Sequence, residues 1–242
     1  MSVAARHALI AGATGLVGRR LLQLLLDDPA YGAVTAVGRR PPGIPHAKLN
    51  FVPAALSEME PALAGGEWDA AFCCLGTTMK TAGTRAAFRA VDLEGVTAFA
   101  RAAKAGNSGF FGLVSAAGAS RRSPSFYLST KGQAEDAVEA LGFPSLALMR
   151  PGVLTGQRQE FRPAERFATM AAPLTDRLFL GPLAAYRSVP AATVAAALLV
   201  AARQARPGTC RLDPAAMKRL AAELPKPCGP ARGAPHAGDS AA

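Results

Sequence analysis

Tyr127 and Lys131 stand four residues apart in Tyr127-Leu128-Ser129-Thr130-Lys131. On a helix that spacing puts both side chains on one face. An ammonium beside a phenol favours the phenolate and draws its pKa toward the working pH. Such a pair can exchange a proton with a carbonyl or alcohol oxygen. Ser115 closes an apolar run twelve residues upstream of Tyr127 and can hydrogen-bond the same oxygen. Tyr-x-x-x-Lys arises often by chance, so its meaning depends on what precedes it.

What precedes it is a glycine turn. Gly12-Ala13-Thr14-Gly15-Leu16-Val17-Gly18 follows the apolar run Ala8-Leu9-Ile10-Ala11 and leads into a leucine-rich amphipathic stretch reaching about Asp27. This reads as strand, turn and helix. Gly12 allows the sharp turn, Gly15 lets a pyrophosphate approach the backbone, and Gly18 lets the helix pack close to the strand. Free N–H groups and the helix dipole favour a negative group there. A bound nicotinamide dinucleotide would supply the hydride that a Tyr–Lys proton shuttle lacks.

Two further stretches fall at strand ends. Arg39 and Arg40 follow the second apolar run, where an NAD site usually carries an acidic residue for the ribose 2′-hydroxyl. Arginines there suit a 2′-phosphate instead, so the expected cofactor is NADP, as NADPH. Leu75-Gly76-Thr77-Thr78 ends the fourth strand, where a small residue lets a cofactor lie across the sheet edge.

These residues need a scaffold, and the pattern supplies one. Strands are expected at Ala8–Ala11, Ala33–Val37, Leu49–Val52, Ala70–Leu75, Phe110–Val114 and Ser145–Met149. Helices are expected from Leu16 to Asp27, Ser57 to Ala64, Thr84 to Ala105, Ser125 to Leu141 and Pro190 to Ala205, with a short one opened by Leu212-Asp213-Pro214. Near-continuous apolar strands alternating with helices predict an α/β fold: a Rossmann-type, doubly wound parallel sheet with ligands at the carboxyl ends of its strands. Residues 1–224 read as one domain, with a small cap at about 155–189 and a Pro/Gly/Ala-rich, disordered tail at 225–242.

Composition sets the outer bounds. Half of the 242 residues are hydrophobic, which excludes a wholly disordered chain. The formal charge of +10 reflects scattered arginines with few aromatics, so it does not argue for a nucleic-acid partner. Cys73, Cys74, Cys210 and Cys228 form no C-x-x-C pair, which predicts a reduced, cytoplasmic protein. His7, His46 and His236 are far apart, so no metal site is expected. Arg6 before an apolar run imitates a secretion signal, but cleavage after Ala13 would cut the glycine turn. The longest apolar run, Ala191–Ala202, is too short to span a bilayer.

The stretches GATGLVG, VGRR, FCCLGTT, FYLSTKGQAE, LMRPGVLTGQRQEFRP and RSVP together resemble the atypical branch of the short-chain dehydrogenase/reductase superfamily. Within it the chain looks most like the Tat-interacting oxidoreductase-like NADPH-binding proteins, over about residues 8–200. The resemblance implies that Thr14, Gly15, Leu16 and Val17 line the cofactor turn and that Arg39 and Arg40 hold the 2′-phosphate. It implies Leu75 and Gly76 beside the adenosine half, with Leu154 and Arg162 closing over the nicotinamide and phosphates. Tyr127 becomes the proton donor or acceptor, and Lys131 its partner on the cofactor. Superfamily members often carry an asparagine relay residue on the long central helix. The comparable stretch here is Val91-Asp92-Leu93, so the resemblance does not extend to that residue.

Two functions remain in view. One is an NADPH-dependent oxidoreductase acting on a small carbonyl or alcohol. The other is an NADP(H)-sensing regulator with a protein partner and little turnover, since a complete triad does not by itself establish catalysis.

Overall fold

The computed structural model describes residues 5–155 and 188–224. Most of the cap segment at 155–189, Arg162 within it, and the tail at 225–242 lie outside the described residues.

Seven parallel strands form the main sheet. They are β1 (Arg6–Ala11), β2 (Tyr31–Gly38), β3 (Leu49–Pro53), β4 (Ala70–Cys73), β5 (Phe110–Val114), β6 (Ser145–Met149) and a seventh strand, Gly208–Leu212. The short segments β7 (Leu154–Thr155) and β8 (Val189–Pro190) pair with each other, which makes the seventh strand β9 in chain order. The spatial order is β3-β2-β1-β4-β5-β6-β9. The chain winds outward from β1 through β2 and β3, then restarts at β4 and winds the other way. The order therefore reverses between β1 and β4, the crevice where such sheets bind ligands.

The helices cover both faces. On one lie α1 (Leu16–Asp27), α7 (Ala191–Gln204) and α8 (Pro214–Ala221), whose Leu21, Leu25, Val194, Leu198 and Met217 pack with Ile10, Phe72, Phe110 and Met149. On the other lie α2 (Met59–Ala62), α5 (Val96–Ala105) and α6 (Phe126–Glu139), with Met59, Val96, Phe99 and Val138 against Leu9, Ala71, Phe111 and Leu113. Successive strand residues such as Leu9 and Ile10 face opposite layers, so both layers demand apolar residues. This is why the strands read as unbroken hydrophobic runs.

Several elements depart from the sequence expectation, the short β7 and β8 among them. The seventh strand, β9, was not foreseen. Four of its five residues are exposed and it carries Gly208 and Arg211, so it lacks the apolar run of a central strand. Pairing with β6 at the sheet edge makes it a strand. The long helix expected from Thr84 to Ala105 is three segments: α4 (Arg85–Arg89), a π-helical turn at Ala90–Gly95, and α5. One wide turn inside an α-helix often marks a functional site. Here it carries Asp92, which is fully buried. A further short helix, α3 (Met79–Ala82), follows β4 and is capped by Thr78, whose hydroxyl accepts the Thr81 N–H.

Candidate functional site

The glycine turn joins β1 to α1 as expected, and its three glycines have separate reasons to be there. Gly12 has φ +77°, and a Cβ on it would lie 2.5 Å from the Cys74 carbonyl oxygen. A Cβ on Gly18 would lie 2.1 Å from the Gly12 carbonyl oxygen. Both positions exclude a side chain through the protein's own backbone. Gly15 differs. It is exposed, its φ of −76° and ψ of 174° suit any residue, and its nearest obstacle is the Gly12 oxygen at 3.2 Å. A Cβ there would press on that oxygen without overlapping it, so the chain constrains this position less than Gly12 or Gly18, and an approaching phosphate would add its own demand for space. Gly15 also begins α1 without a side-chain cap, and the first helical bond runs from the Arg19 N–H to the Gly15 carbonyl. The N–H groups of Leu16, Val17 and Gly18 are thus offered at the positive end of a twelve-residue helix.

Arg39 and Arg40 leave β2 on the same sheet edge. Both are exposed, and neither forms an ion pair among the described residues. Thr14 is exposed too, while Val17 and Gly18 are buried beneath the turn.

From the glycine turn the edge continues without a gap. Gly12 abuts Cys74 and Leu75 backbone to backbone. Next comes Gly76, where a Cβ would stand 3.5 Å from both the Asp92 Oδ1 and the Lys131 Nζ. The Thr77 N–H donates to Asp92 Oδ2 at 2.8 Å, and Lys131 Nζ lies 2.7 Å from Asp92 Oδ1. Lys131 Nζ also reaches the Val114 carbonyl at 3.5 Å, one residue before Ser115. Ser115 Oγ is buried and makes no hydrogen bond within the described residues. A buried hydroxyl without a partner is costly unless a ligand or water supplies one.

The first turns of α6 are tied to the loop after β5, and that fixes Tyr127 and Lys131. Ser125 caps the helix by accepting the Leu128 N–H at 3.5 Å. The Ser129 hydroxyl donates to the Arg121 carbonyl at 3.0 Å, and the Ser120 N–H donates to the Leu128 carbonyl at 3.2 Å. The Phe88 ring supports Tyr127 at 5.5 Å between centroids. Gly132 permits the contact, because a Cβ there would fall 2.2 Å from the Ser120 carbonyl carbon. Gly132→Ala should therefore push α6 off the loop. Overpacking of this kind costs about 1–3 kcal/mol, to be read from urea unfolding. An unchanged midpoint would mean that the loop yields freely.

The electrostatics correct one expectation. Lys131 was expected to draw the Tyr127 phenol toward neutral pH. Instead burial pushes the phenol up, Lys131 pulls it down, and Asp92 pushes it up again, leaving it above its ordinary value. Burial alone would lower Lys131, but Asp92 and then Tyr127 raise it, and the net direction is up. The site therefore holds a protonated tyrosine and a charged lysine at neutral pH.

The remaining sequence candidates are less central. Leu154 lies on β7, half-buried against the α1/α7 layer. Arg162 lies outside the described residues. Asp92, buried against Lys131 and the Thr77 N–H, is the charged residue of this edge that was not among the sequence's candidate site residues. Its signal was a charged residue within the apolar stretch Ala90-Val91-Asp92-Leu93. No helix among the described residues is long and apolar enough to cross a membrane. No cluster of metal ligands appears among them either.

A protein-family model described as NAD(P)H-binding matches residues 12–204. Protein HTATIP2 of Rattus norvegicus is 38% identical over 211 residues, spanning 80% of this chain and 80% of that protein. The protein named FMP52-1, mitochondrial, of Scheffersomyces stipitis is 38% identical over 155 residues, spanning 63% and 69%. Among solved structures, MoeE5 in complex with UDP-glucose and NAD superposes with a TM-score of 0.64 at 18% identity, covering 90% of this chain and 81% of that one. WbmH of Bordetella bronchiseptica in complex with NAD+ gives 0.66 at 16% identity, covering 86% and 76%. At these identities the structures share the fold.

Proposed function

This chain belongs to the NAD(P)H-binding family, and from that premise we propose that it is an NADPH-dependent oxidoreductase of the short-chain dehydrogenase/reductase type. Its substrate would be a small carbonyl or alcohol. The observation that carries the reading is the continuous edge from the glycine turn, through Leu75 and Gly76, to Lys131 and the Val114 carbonyl beside Ser115. It spans the strand-order reversal, where a dinucleotide lies in this fold.

The residues present fit the cofactor. Gly15 leaves room at the turn, the α1 N-terminus has no side-chain cap, and two exposed arginines stand after β2 with no ion pair among the described residues. Bound there, NADPH would supply hydride. Arg39 and Arg40 would hold the 2′-phosphate, and the amides of Leu16, Val17 and Gly18 the pyrophosphate. Tyr127 would donate its phenolic proton to the substrate oxygen as the carbonyl carbon is reduced, then regain it from solvent. Ser115 would donate its free hydroxyl to the same oxygen, and Lys131 would anchor the cofactor's ribose beside it. The free thiols of Cys73, Cys74 and Cys210 suit a reducing compartment. We assign the cytoplasm, while the fungal relative's name places that protein in mitochondria.

The test is a carbonyl-compound screen followed by NADPH absorbance. Consumption that depends on both protein and carbonyl supports the reading. NADPH binding with no consumption across the panel favours the sensing alternative.

Cofactor preference has its own test. Each charge-assisted contact contributes roughly 1.5–3 kcal/mol, so Arg39→Ala with Arg40→Ala should cost NADPH about 10²-fold or more in affinity relative to NADH. Fluorescence titration of both cofactors measures this. Equal affinities in the native protein would remove the assignment of NADPH.

A further inference from the structure

We infer that Asp92 is a positioning residue that compensates the charge of Lys131 and so holds Tyr127 as a protonated phenol, the form that donates to a carbonyl oxygen. The inference rests on the reading of Tyr127 as the proton-transfer group.

The argument begins with placement. Lys131 is about 5% exposed and Asp92 is fully buried. Their charged atoms are 2.7 Å apart, and the second carboxylate oxygen takes the Thr77 N–H. One carboxylate thus ties three elements together: the loop after β4, the π-helical turn and α6. A buried ammonium that reached Tyr127 alone would direct its whole field at the phenol and favour phenolate. With a carboxylate against it, much of that field is spent within the pair. Phenolate is the form needed to take a proton from an alcohol, and phenol the form needed to give one to a reduced carbonyl.

No other charge in the described residues disturbs this balance at close range. From β4 the titratable neighbour is the Cys73 thiol, which burial pushes up to about 12, so it is neutral. From α4, Phe88 is uncharged, Arg89 donates to Gln133, and the Arg85 guanidinium lies over the Phe126 ring. Farther along α6, Glu135 is held by Arg150. The π-helical turn presents Asp92 itself. Burial gives the Tyr127 phenol its net upward direction, Lys131 opposes it, and Asp92 offsets part of that opposition.

The experiment titrates Tyr127 directly in the full-length protein, without substrate or cofactor. Phenolate ultraviolet absorbance is followed against pH, and Tyr127 is isolated as the difference from a matched Tyr127→Phe variant. The chain has only three tyrosines, and Tyr31 is pushed up to about 12. Asp92→Asn keeps an acceptor for the Thr77 N–H and removes the charge. The Tyr127 midpoint should then fall by about 1–3 pH units, the effect of an uncompensated cation nearby. A midpoint that stays or rises in a folded Asp92→Asn protein would overturn the inference. If that variant does not fold, the pair Asp92→Asn with Lys131→Met replaces it, with both charges gone. The native midpoint should then match the double variant within about half a pH unit, small beside the one-unit-plus effect of an uncompensated charge. A native midpoint well below the double variant would show that Lys131 dominates and Asp92 does not compensate it. A purely structural Asp92 would lower stability and leave the midpoint in place. Because turnover plays no part, this result is independent of the carbonyl screen: that screen can fail while the titration succeeds, and the reverse.

Discussion

Replacing Tyr127 by phenylalanine should lower turnover by about 10²–10⁴-fold, the usual contribution of a positioned general acid. Only the hydroxyl is removed. The ring keeps its place against Phe88, so stability and NADPH affinity should change little. Lys131→Met carries a different signature. The side chain is buried against Asp92 and the Val114 carbonyl, and its loss leaves a carboxylate buried without a counter-ion. Breaking a buried pair from one side costs about 3–5 kcal/mol. Lys131→Met should therefore lose turnover, cofactor affinity and melting temperature together, while Tyr127→Phe loses turnover alone. Kinetics and a thermal melt on both variants separate the two patterns. A substrate turned over by Tyr127→Phe at the native rate would remove the proposed proton donor.

Gly15→Val should abolish cofactor binding and leave the fold in place. The backbone at Gly15 is already extended, and the first atom a new Cβ meets is the Gly12 oxygen at 3.2 Å. A valine there stands over the uncapped amides of α1, where the pyrophosphate would lie. At a hundredfold excess over its dissociation constant, a cofactor stabilises its protein by about 2.7 kcal/mol. That ligand-dependent gain in melting temperature should vanish in Gly15→Val, with the ligand-free melt close to native. Gly18→Val is the contrast, because its Cβ would overlap the Gly12 carbonyl and should unfold the turn. A preserved NADPH shift in Gly15→Val would place the cofactor elsewhere.

The sequence made the scaffold legible wherever a strand is buried on both faces. Leu9, Ile10, Phe72, Phe110 and Leu148 are all fully buried or nearly so, and their apolar runs announce β1, β4, β5 and β6. It failed at β9, whose exposed residues become a strand only through pairing with β6. The π-helical turn was equally hidden, since its residues read as ordinary helix formers. Within the site, the Tyr127–Lys131 spacing was legible because helical geometry turns four positions into one face. Asp92 was not, because its partners Lys131 and Thr77 are distant in sequence and meet only in three dimensions. The direction of the Tyr127 shift was misjudged for a related reason: residue spacing revealed the cation and concealed both the burial of the phenol, which is the largest influence on it, and the carboxylate that partly offsets the cation.

The account is tested most directly by following the hydride itself. NADPH deuterated at the transferring position is incubated with the protein and the carbonyl panel, and the products are weighed by mass spectrometry. An alcohol carrying one deuterium at the former carbonyl carbon, formed about 10²–10⁴-fold more slowly by Tyr127→Phe, is the result expected of an oxidoreductase with Tyr127 as its acid. Bound NADPH that transfers no deuterium to any carbonyl of the panel would contradict it.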